Sequence, residues 1–326
     1  MLKDRYGRAI NYLRVSVTDR CNLRCRYCVP VGGFPLIERE EILSYEEILR
    51  LVECFVELGI EKVRITGGEP LLRKDLDVLI SGIRRLQGVK DLSLSTNGVF
   101  LAEQAARLRQ AGLGRINISL DTFDGEKFRW ITGLDCHEKV LEGIQAALRA
   151  GLDPVKVNVV TLKEVNDDEI EKFAAFAMRC PIELRFIELM PTKNCFLVER
   201  DRFVPSSKIK EQVSRYAELI PEERLPGDVA ETYRLRGGRG RIGFINSITN
   251  AFCSDCNRIR LRSDGILRLC LHGEETLDLR TPLRLGASRP ELMDLIHEAV
   301  QGKPKGHAFK GLPEDEPVTY MCQVGG

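Results

Sequence analysis

The chain has 326 residues, 43% of them hydrophobic, so it can bury a full core in one large domain or in a large domain with an appendage. Its 49 basic side chains nearly balance its 48 acidic ones, which argues against a nucleic-acid binder or a protein held on a membrane by charge. No apolar run reaches the length of a membrane span and no targeting signal is recognisable, so a cytoplasmic location is expected.

The first predicted strand, residues 13–17, is followed by three cysteines at C-x3-C-x2-C spacing, Cys21, Cys25 and Cys28. A four-iron cluster normally takes four thiolates, so three leave one iron open, and an open metal position is typically where substrate binds. The alternatives are a zinc site, a disulfide or buried thiols. None of the four histidines is near this loop, and disulfides belong mainly to secreted proteins, so the spacing favours an iron–sulfur cluster.

Strand and helix patterns alternate up to about residue 190. Ser44 and Glu47 have the spacing of a capping box at a helix start. A glycine follows each of three helical runs, at Gly59, Gly112 and Gly151. The repeat predicts six parallel strands with right-handed crossovers, which fits either an open sheet or a partial barrel. The predicted strands cover residues 13–17, 62–66, 91–95, 115–120, 155–160 and 182–187.

The second predicted strand ends in Thr66-Gly67-Gly68-Glu69-Pro70. Two glycines let a ligand approach the backbone closely, and the carboxylate of Glu69 is suited to an ammonium group. Taken alone the motif is weak, because a tight turn would use the same residues.

Together, the cysteine trio and this motif resemble those of the radical S-adenosylmethionine (SAM) enzymes. The resemblance implies a [4Fe-4S] cluster on the trio and SAM as cosubstrate. The implied SAM contacts are Tyr27, Gly67, Gly68, Glu69, Ser119 and Met190. It also implies the fold class, α/β with a partial (β/α)6 TIM barrel over residues 1–190, and a site at the carboxyl ends of its strands.

The pattern changes after residue 190, where prolines punctuate a polar stretch. Short strands are predicted at residues 233–236 and 242–245, and a helix near residues 291–300. Residues 258–262 and 266–269 form a predicted hairpin with Asp264-Gly265 as its turn. These elements predict a separate C-terminal unit, residues 191–326.

A second cysteine trio lies in this unit, Cys253, Cys256 and Cys270. A zinc site completed by His272 is the alternative to a second cluster. Arg258 and Arg260 alternate along the strand after Cys256, and Arg262 continues the same side. Arginines beside a metal suit a multiply charged ligand such as a triphosphate, and a solvated basic face is the simpler alternative.

The full set of motifs resembles the GTP-cyclising radical SAM enzymes of molybdenum cofactor biosynthesis. Besides the two trios, the resemblance rests on residues 156–160, residues 185–190 and the terminal Gly325-Gly326. It implies a C-terminal iron–sulfur domain whose second [4Fe-4S] cluster binds guanine at its open iron. The implied GTP contacts are Arg14, Arg64, Ser95, Lys156, Arg258 and Arg260. The implied catalytic residues are Arg14, Arg258, Arg260, Gly325 and Gly326.

The same resemblance implies the reaction and its partners. A 5′-deoxyadenosyl radical made from SAM takes the hydrogen from ribose carbon 3′ of GTP, and the new radical attacks guanine carbon 8. An electron donor supplies the reaction, and a cyclic pyranopterin monophosphate synthase receives the product. A homodimer is a candidate assembly, and neither nucleic acid nor a membrane is expected as a partner. Cys322 in the tail is predicted not to bind the second cluster, since a fourth thiolate would close the guanine position.

Two other functions fit part of the pattern. Another radical SAM enzyme with an auxiliary cluster would share both trios, but the arginine pair and the Gly-Gly end argue against it. A metal-binding module without catalysis would have no use for Gly67-Gly68 and six βα units. A cation facing into a barrel is costly without an anion, which favours a phosphate ligand for Arg14 and Lys156.

Overall fold

The computed structural model describes residues 1–30, 32–190, 200–224, 227–306 and 321 of the chain. Its strands are β1 (Tyr12–Ser16), β2 (Lys62–Thr66), β3 (Asp91–Thr96), β4 (Arg115–Ser119), β5 (Val155–Val160), β6 (Glu183–Ile187), β7 (Leu219–Pro221), β8 (Glu231–Leu235), β9 (Arg241–Ile245), β10 (Arg258–Leu261), β11 (Ile266–Arg268) and β12 (Thr276–Asp278). They form one sheet in the order β12-β11-β10-β1-β2-β3-β4-β5-β6-β9-β8-β7.

Helices connect the first six strands, and their starts and ends follow from local sequence. The helices are α1 (Tyr45–Glu57), α2 (Leu76–Arg85), α3 (Leu101–Gln110), α4 (Gly125–Thr132), α5 (His137–Arg149), α6 (Ile170–Arg179), α7 (Ser206–Tyr216), α8 (Arg280–Arg284) and α9 (Arg289–Gln301). The predicted capping box is confirmed: Ser44 Oγ accepts the Glu47 N–H, and the Glu47 carboxylate accepts the Ser44 N–H. Of the helices within the described ranges, none combines the length and apolarity needed to cross a bilayer.

The centre of the sheet is parallel, from β10 through β1 to β6 and on to β9. The six predicted strands and the hairpin of β10 and β11 are confirmed, and so is the α/β class. Strands from beyond residue 190 extend both edges of the same sheet. The boundary at residue 190 stays a prediction, and the sheet runs across it.

The two faces of the sheet differ sharply in polarity. In β1, Leu13 and Val15 belong to the hydrophobic core, and Val63 and Ile65 do so in β2. Side chains alternate along a strand, so Arg14 lies on the opposite face. That second face carries the polar side chains from which the site is built.

Candidate active site

A cavity of about 220 Å³ lies at the carboxyl ends of the parallel strands. The cysteines of the first trio line it, which brings their loop against the strand ends. The predicted SAM contacts that line it are Tyr27, Gly67, Gly68, Ser119 and Met190. Ser95, a predicted GTP contact, lines the same cavity. The structure therefore gathers residues distant in sequence around the trio, as expected for a site at the top of a barrel.

The cysteines of the first trio are half-buried, and the sulfur of Cys21 accepts hydrogen bonds. Cys21 Sγ accepts the backbone N–H of Leu23 at 3.4 Å and the side-chain amide of Asn97 at 3.8 Å. Burial raises the pKa of Cys21 to about 11 and that of Cys25 well above its usual value. A bound cation reverses this effect and removes the proton from a coordinating thiol. Three thiols on one cavity with N–H donors to sulfur fit a [4Fe-4S] cluster.

Tyr27 is held in the cavity by Asp121, a residue that no sequence pattern singled out. The Tyr27 hydroxyl donates to Asp121 Oδ2 at 2.5 Å, and Asp121 Oδ1 accepts the Val160 N–H at 2.8 Å. Burial raises the pKa of Asp121 to about 6, although both hydrogen bonds favour its charged form. Asp121 thereby ties the cysteine loop to the end of β5.

The two glycines after β2 are required by backbone packing as well as by the cavity they line. A Cβ on Gly68 would lie 2.3 Å from the carbonyl oxygen of Arg20, and one on Gly67 would lie 2.8 Å from that of Thr18. The Gly68 N–H donates to the Thr18 carbonyl at 2.7 Å. The backbone of these glycines therefore packs closely against the backbone of the loop after β1. The motif alone suggested that a ligand would make this close contact.

Glu69 does not offer the free carboxylate that its motif suggested. Its side chain is fully buried and accepts hydrogen bonds from the Leu71 N–H, the Asn97 N–H and the Thr96 hydroxyl. Burial raises the pKa of Glu69 to about 7, although the three hydrogen bonds lower it. The carboxylate shapes the loop that carries Gly67 and Gly68.

We expect Gly68→Ala to lower the free energy of unfolding by about 3 kcal/mol or more, because a clash with backbone is not relieved by side-chain rotation. Chemical denaturation measures the change. Gly114→Ala is the matched control, since its Cβ would lie 3.4 Å from the Leu92 carbonyl oxygen, an ordinary contact. Equal stability of the two variants would contradict the packing described for the loop after β2.

Three arginines lie side by side on adjacent strands of the polar face. Arg260 of β10 is in register with Arg14 of β1, and Arg14 is in register with Arg64 of β2; we call these the arginine row. Burial, with repulsion from neighbouring guanidiniums, lowers the pKa of Arg14 and Arg64 to about 9 and that of Arg260 to about 10. A bound anion would relieve both effects, so the row is suited to a polyanion.

Arg64, at one end of the arginine row, lies one layer below the cavity. Arg64 is in register with Ser93, and its Nε donates to the Ser93 hydroxyl at 3.3 Å. Ser95, which lines the cavity, is two residues further along the same strand, about 7 Å towards its carboxyl end. A ligand held by the row therefore extends towards the cysteine trio.

Lys156 forms the other cationic group of the polar face. Its Nζ lies 2.7 Å from Glu183 Oε2, while Arg185 pairs with Glu183 Oε1 at 2.5 Å. Burial and then repulsion from Arg185 lower the pKa of Lys156 to about 8, and Glu183 opposes this shift. Lys156 shares a register row with Ser95 through Asn117, so two predicted GTP contacts lie at one level.

The second trio is assembled by the hairpin of β10 and β11. Cys253 begins a short 3-10 turn, Cys256 lies two residues before β10, and Cys270 lies two residues after β11. Antiparallel pairing of the hairpin returns Cys270 towards Cys256. Burial alone would raise the pKa of Cys256, but Lys303 and Arg258 outweigh it and lower the pKa to about 7. A thiol that ionises this readily suits a metal ligand.

Within the described ranges, no three His, Cys, Asp or Glu side chains are arranged around a single metal ion, so a second cluster and the zinc site completed by His272 both stay predictions. The tail residues Cys322, Gly325 and Gly326 lie outside the described residues. Their assigned roles stay predictions.

Sequence reasoning missed several residues that build the site. Asp121 and Asn97 follow strand ends, and polar residues at that position are a usable signal in a barrel. Arg115 is bound bidentately by the two carboxylate oxygens of Asp91, and Arg185 contacts the single oxygen Oε1 of Glu183. Lys303 precedes a proline in a loop and gives no signal in sequence, although it is almost fully buried.

Comparison with known proteins matches each part of the chain to the family that its motifs resemble. A family model described as Radical SAM superfamily matches residues 15–177, and one described as Molybdenum Cofactor Synthesis C matches residues 182–309. The GTP 3′,8-cyclase of Thermodesulfovibrio yellowstonii is 45% identical over the full length of both chains. The GTP 3′,8-cyclase of Moorella thermoacetica is 46% identical, again over both full lengths.

Solved structures agree on the fold. Streptococcus suis SuiB bound to S-adenosylmethionine superposes with a TM-score of 0.62 at 12% identity, over 95% of this chain and 78% of SuiB. SuiB bound to precursor peptide SuiA gives a TM-score of 0.62 at 14% identity, over 95% and 76% of the two chains. This likeness confirms the predicted partial (β/α)6 barrel. With identity near 45% to these two cyclases over its full length, and with both family models matched, the chain belongs to the GTP 3′,8-cyclase family of radical SAM enzymes.

Proposed function

We propose that the protein converts GTP into (8S)-3′,8-cyclo-7,8-dihydroguanosine 5′-triphosphate, the first step of molybdenum cofactor biosynthesis. One observation carries the proposal: the arginine row ends at Arg64 of β2, and Thr66, two residues further along that strand, lines the cavity together with the first trio. A nucleoside triphosphate held by the row places its sugar between the arginines and the cysteines. That is the position in which a radical formed from SAM meets ribose carbon 3′.

The first trio and the glycine loop form the SAM half of the site. When bound to Cys21, Cys25 and Cys28, the [4Fe-4S] cluster supplies the electron that splits SAM into methionine and a 5′-deoxyadenosyl radical. Tyr27, fixed by Asp121, and the loop after β2 hold SAM in one orientation. Such positioning is the main contribution of a protein to radical chemistry, because a misplaced radical reacts elsewhere.

The cationic face forms the GTP half. Arg14, Arg64 and Arg260 bind the triphosphate, with Arg258, Lys156 and Ser95 completing the contacts. The radical then takes the hydrogen from ribose carbon 3′, and the carbon radical attacks carbon 8 of the guanine. One further electron and a proton complete the product, so an electron donor is needed.

The C-terminal part orients the guanine. We infer that Cys253, Cys256 and Cys270 hold a second [4Fe-4S] cluster, which offers an open iron to the base when bound. Residues 1–190 then provide SAM chemistry, and residues 191–326 provide the second cluster and the Gly325-Gly326 end. A cytoplasmic location, a homodimer and transfer of the product to a cyclic pyranopterin monophosphate synthase belong to the same proposal.

The affinity for GTP is expected to fall as pH rises above about 8. Lys156 binds the triphosphate as an ammonium group, and its pKa in the free protein is about 8. Below that pH the charge is present before GTP arrives. Above it, binding must take up a proton, which weakens affinity by up to about tenfold per pH unit. Calorimetric titration of GTP from about pH 7.5 to 9.5 measures the slope.

Lys156→Arg is the matched variant for this experiment, because a guanidinium loses its proton at a higher pH than an ammonium group in the same place. The arginine row, with pKa values of about 9 and 10, contributes to the slope of both proteins. The GTP affinity of Lys156→Arg is expected to change much less with pH. A slope equal to that of the wild type would assign the proton to another group.

The proposed reaction is tested by mass spectrometry of an anaerobic mixture of reconstituted protein, SAM, GTP and dithionite. GTP deuterated at carbon 3′ should give an isomer of GTP together with deuterated 5′-deoxyadenosine. Unlabelled deoxyadenosine without a product from GTP would refute the substrate and keep the radical SAM chemistry. No deoxyadenosine from protein with verified iron and sulfide would refute both.

A further inference from the structure

Lys303 is a buried lysine that the proposed reaction does not use. It follows α9 and is 2% exposed. Its Nζ donates to the Arg258 carbonyl at 2.8 Å and also to the Leu269 carbonyl. Arg258 is two residues after Cys256, and Leu269 directly precedes Cys270. One ammonium group therefore joins the two backbone arms that carry these cysteines.

The charge of Lys303 is matched by sulfur. Two carbonyl oxygens satisfy its hydrogen bonds but carry no net charge, and a buried ammonium without a counter-charge is costly. The Lys303 ammonium also donates a hydrogen bond to Cys256 and lies close enough to Cys270 to interact with its sulfur electrostatically. Anionic sulfur at these two cysteines is thus the partner that makes the buried charge tolerable.

The neighbouring segment is fixed to the third cysteine in a similar way. Arg8 donates to the Cys253 carbonyl at 2.8 Å, to the Pro304 carbonyl at 2.6 Å and to the Lys305 carbonyl at 2.8 Å. Asp4 neutralises Arg8 at 2.6 Å. The charge of Arg8 is therefore balanced within the protein, whereas that of Lys303 is directed at the cysteines.

We propose that Lys303 is a positioning residue for the second cluster, and that its buried ammonium stabilises the more negative, reduced form of that cluster. The inference rests on the second cluster put forward above. An electron from a low-potential one-electron donor adds a negative charge next to a fixed positive one, so the charge raises the reduction potential. Removal of the charge should shift the potential of the second cluster to lower values and leave that of the first cluster unchanged.

The experiment compares reconstituted full-length wild type with Lys303→Met and Lys305→Met. Lys305 is exposed and two residues away, so Lys305→Met removes one positive charge at a position where solvent already screens it. Redox titration with dithionite, followed by electron paramagnetic resonance, gives both potentials. The signal lost in Cys256→Ser identifies the second cluster. A lower second-cluster potential in Lys303→Met alone supports the proposal, and an unchanged potential at full iron content overturns it.

Lys303→Met could assemble only the first cluster, and its second-cluster potential could then not be measured. In that case Lys303→Arg tests whether a positive charge at this position is what the second cluster requires. If the arginine variant keeps the second cluster, the positive charge is what the site requires. Loss of the cluster in a variant that keeps the charge and unfolds like wild type would overturn the electrostatic role. Wild-type protein that holds iron for one cluster only would refute the second cluster itself. Cyclase inactivity with both clusters present would refute the proposed reaction and leave the role of Lys303 intact.

Discussion

Replacing Arg260 by leucine is expected to lower kcat/KM for GTP about 100-fold, because the triphosphate loses a pair of charge-assisted hydrogen bonds. SAM binding should stay close to wild type, since SAM is assigned to the cavity one layer above. Burial and the neighbouring Arg258 already disfavour the charge of Arg260 in the free protein. Steady-state kinetics and calorimetry measure these quantities.

Arg262→Leu is the control for this prediction. Arg262 directly follows β10, but its guanidinium lies 2.7 Å from Asp264, so its charge is already matched. Its removal should change kcat/KM for GTP by no more than about threefold. Equal loss of activity in both variants would mean that any positive charge along this strand contributes to GTP binding. That result would contradict the assignment of the triphosphate to the arginine row.

Exchanging one cysteine in each trio should separate the two halves of the reaction. Cys25→Ser and Cys256→Ser are each expected to lose about half of the bound iron. Cys25→Ser should form no 5′-deoxyadenosine, because the first trio faces the SAM cavity. Cys256→Ser should still cleave SAM but give no cyclised nucleotide. Iron analysis and chromatography of the products measure both effects.

The roles assigned to the two trios would be contradicted in either of two ways. Wild-type iron content in Cys256→Ser would show that the second trio binds no cluster. Cyclised product from Cys256→Ser would show that orientation of the guanine does not depend on it.

The sequence predicted those parts of the fold that depend on neighbours along the chain. Alternation within β1 to β6 identified all six strands, and the spacing of Ser44 and Glu47 identified the start of α1. The turn at Asp264-Gly265 identified the hairpin, with Gly265 at a φ of 81°. The helix α7 was not predicted, because the prolines around it are typical of irregular structure. Ile209 and Val213, four residues apart, form its buried stripe.

The remaining features depend on contacts between distant parts of the chain. Nothing in residues 258–261 indicates that β10 pairs with β1, so the alignment of Arg260 with Arg14 is visible only in the structure. The carboxylate of Glu69 was predicted to bind an ammonium group, and the structure adds three hydrogen-bond donors to it from the loop itself and from the end of β3. Sequence reasoning found which residue types build the site and missed the contacts that orient them.

The pairing of β9 with β6 and of β10 with β1 also determines when the protein can fold during its synthesis. About 70 residues separate the end of β6 from the start of β10. At roughly 5–20 residues per second, the ribosome takes roughly 4–14 s to add them. During that interval β1 presents unpaired N–H and C=O groups at one edge of the nascent sheet, which other chains can bind. The other edge, β6, is open until β9 has been made, about 50 residues after β6. The yield of folded protein in a cell therefore depends on protection of the nascent chain over several seconds.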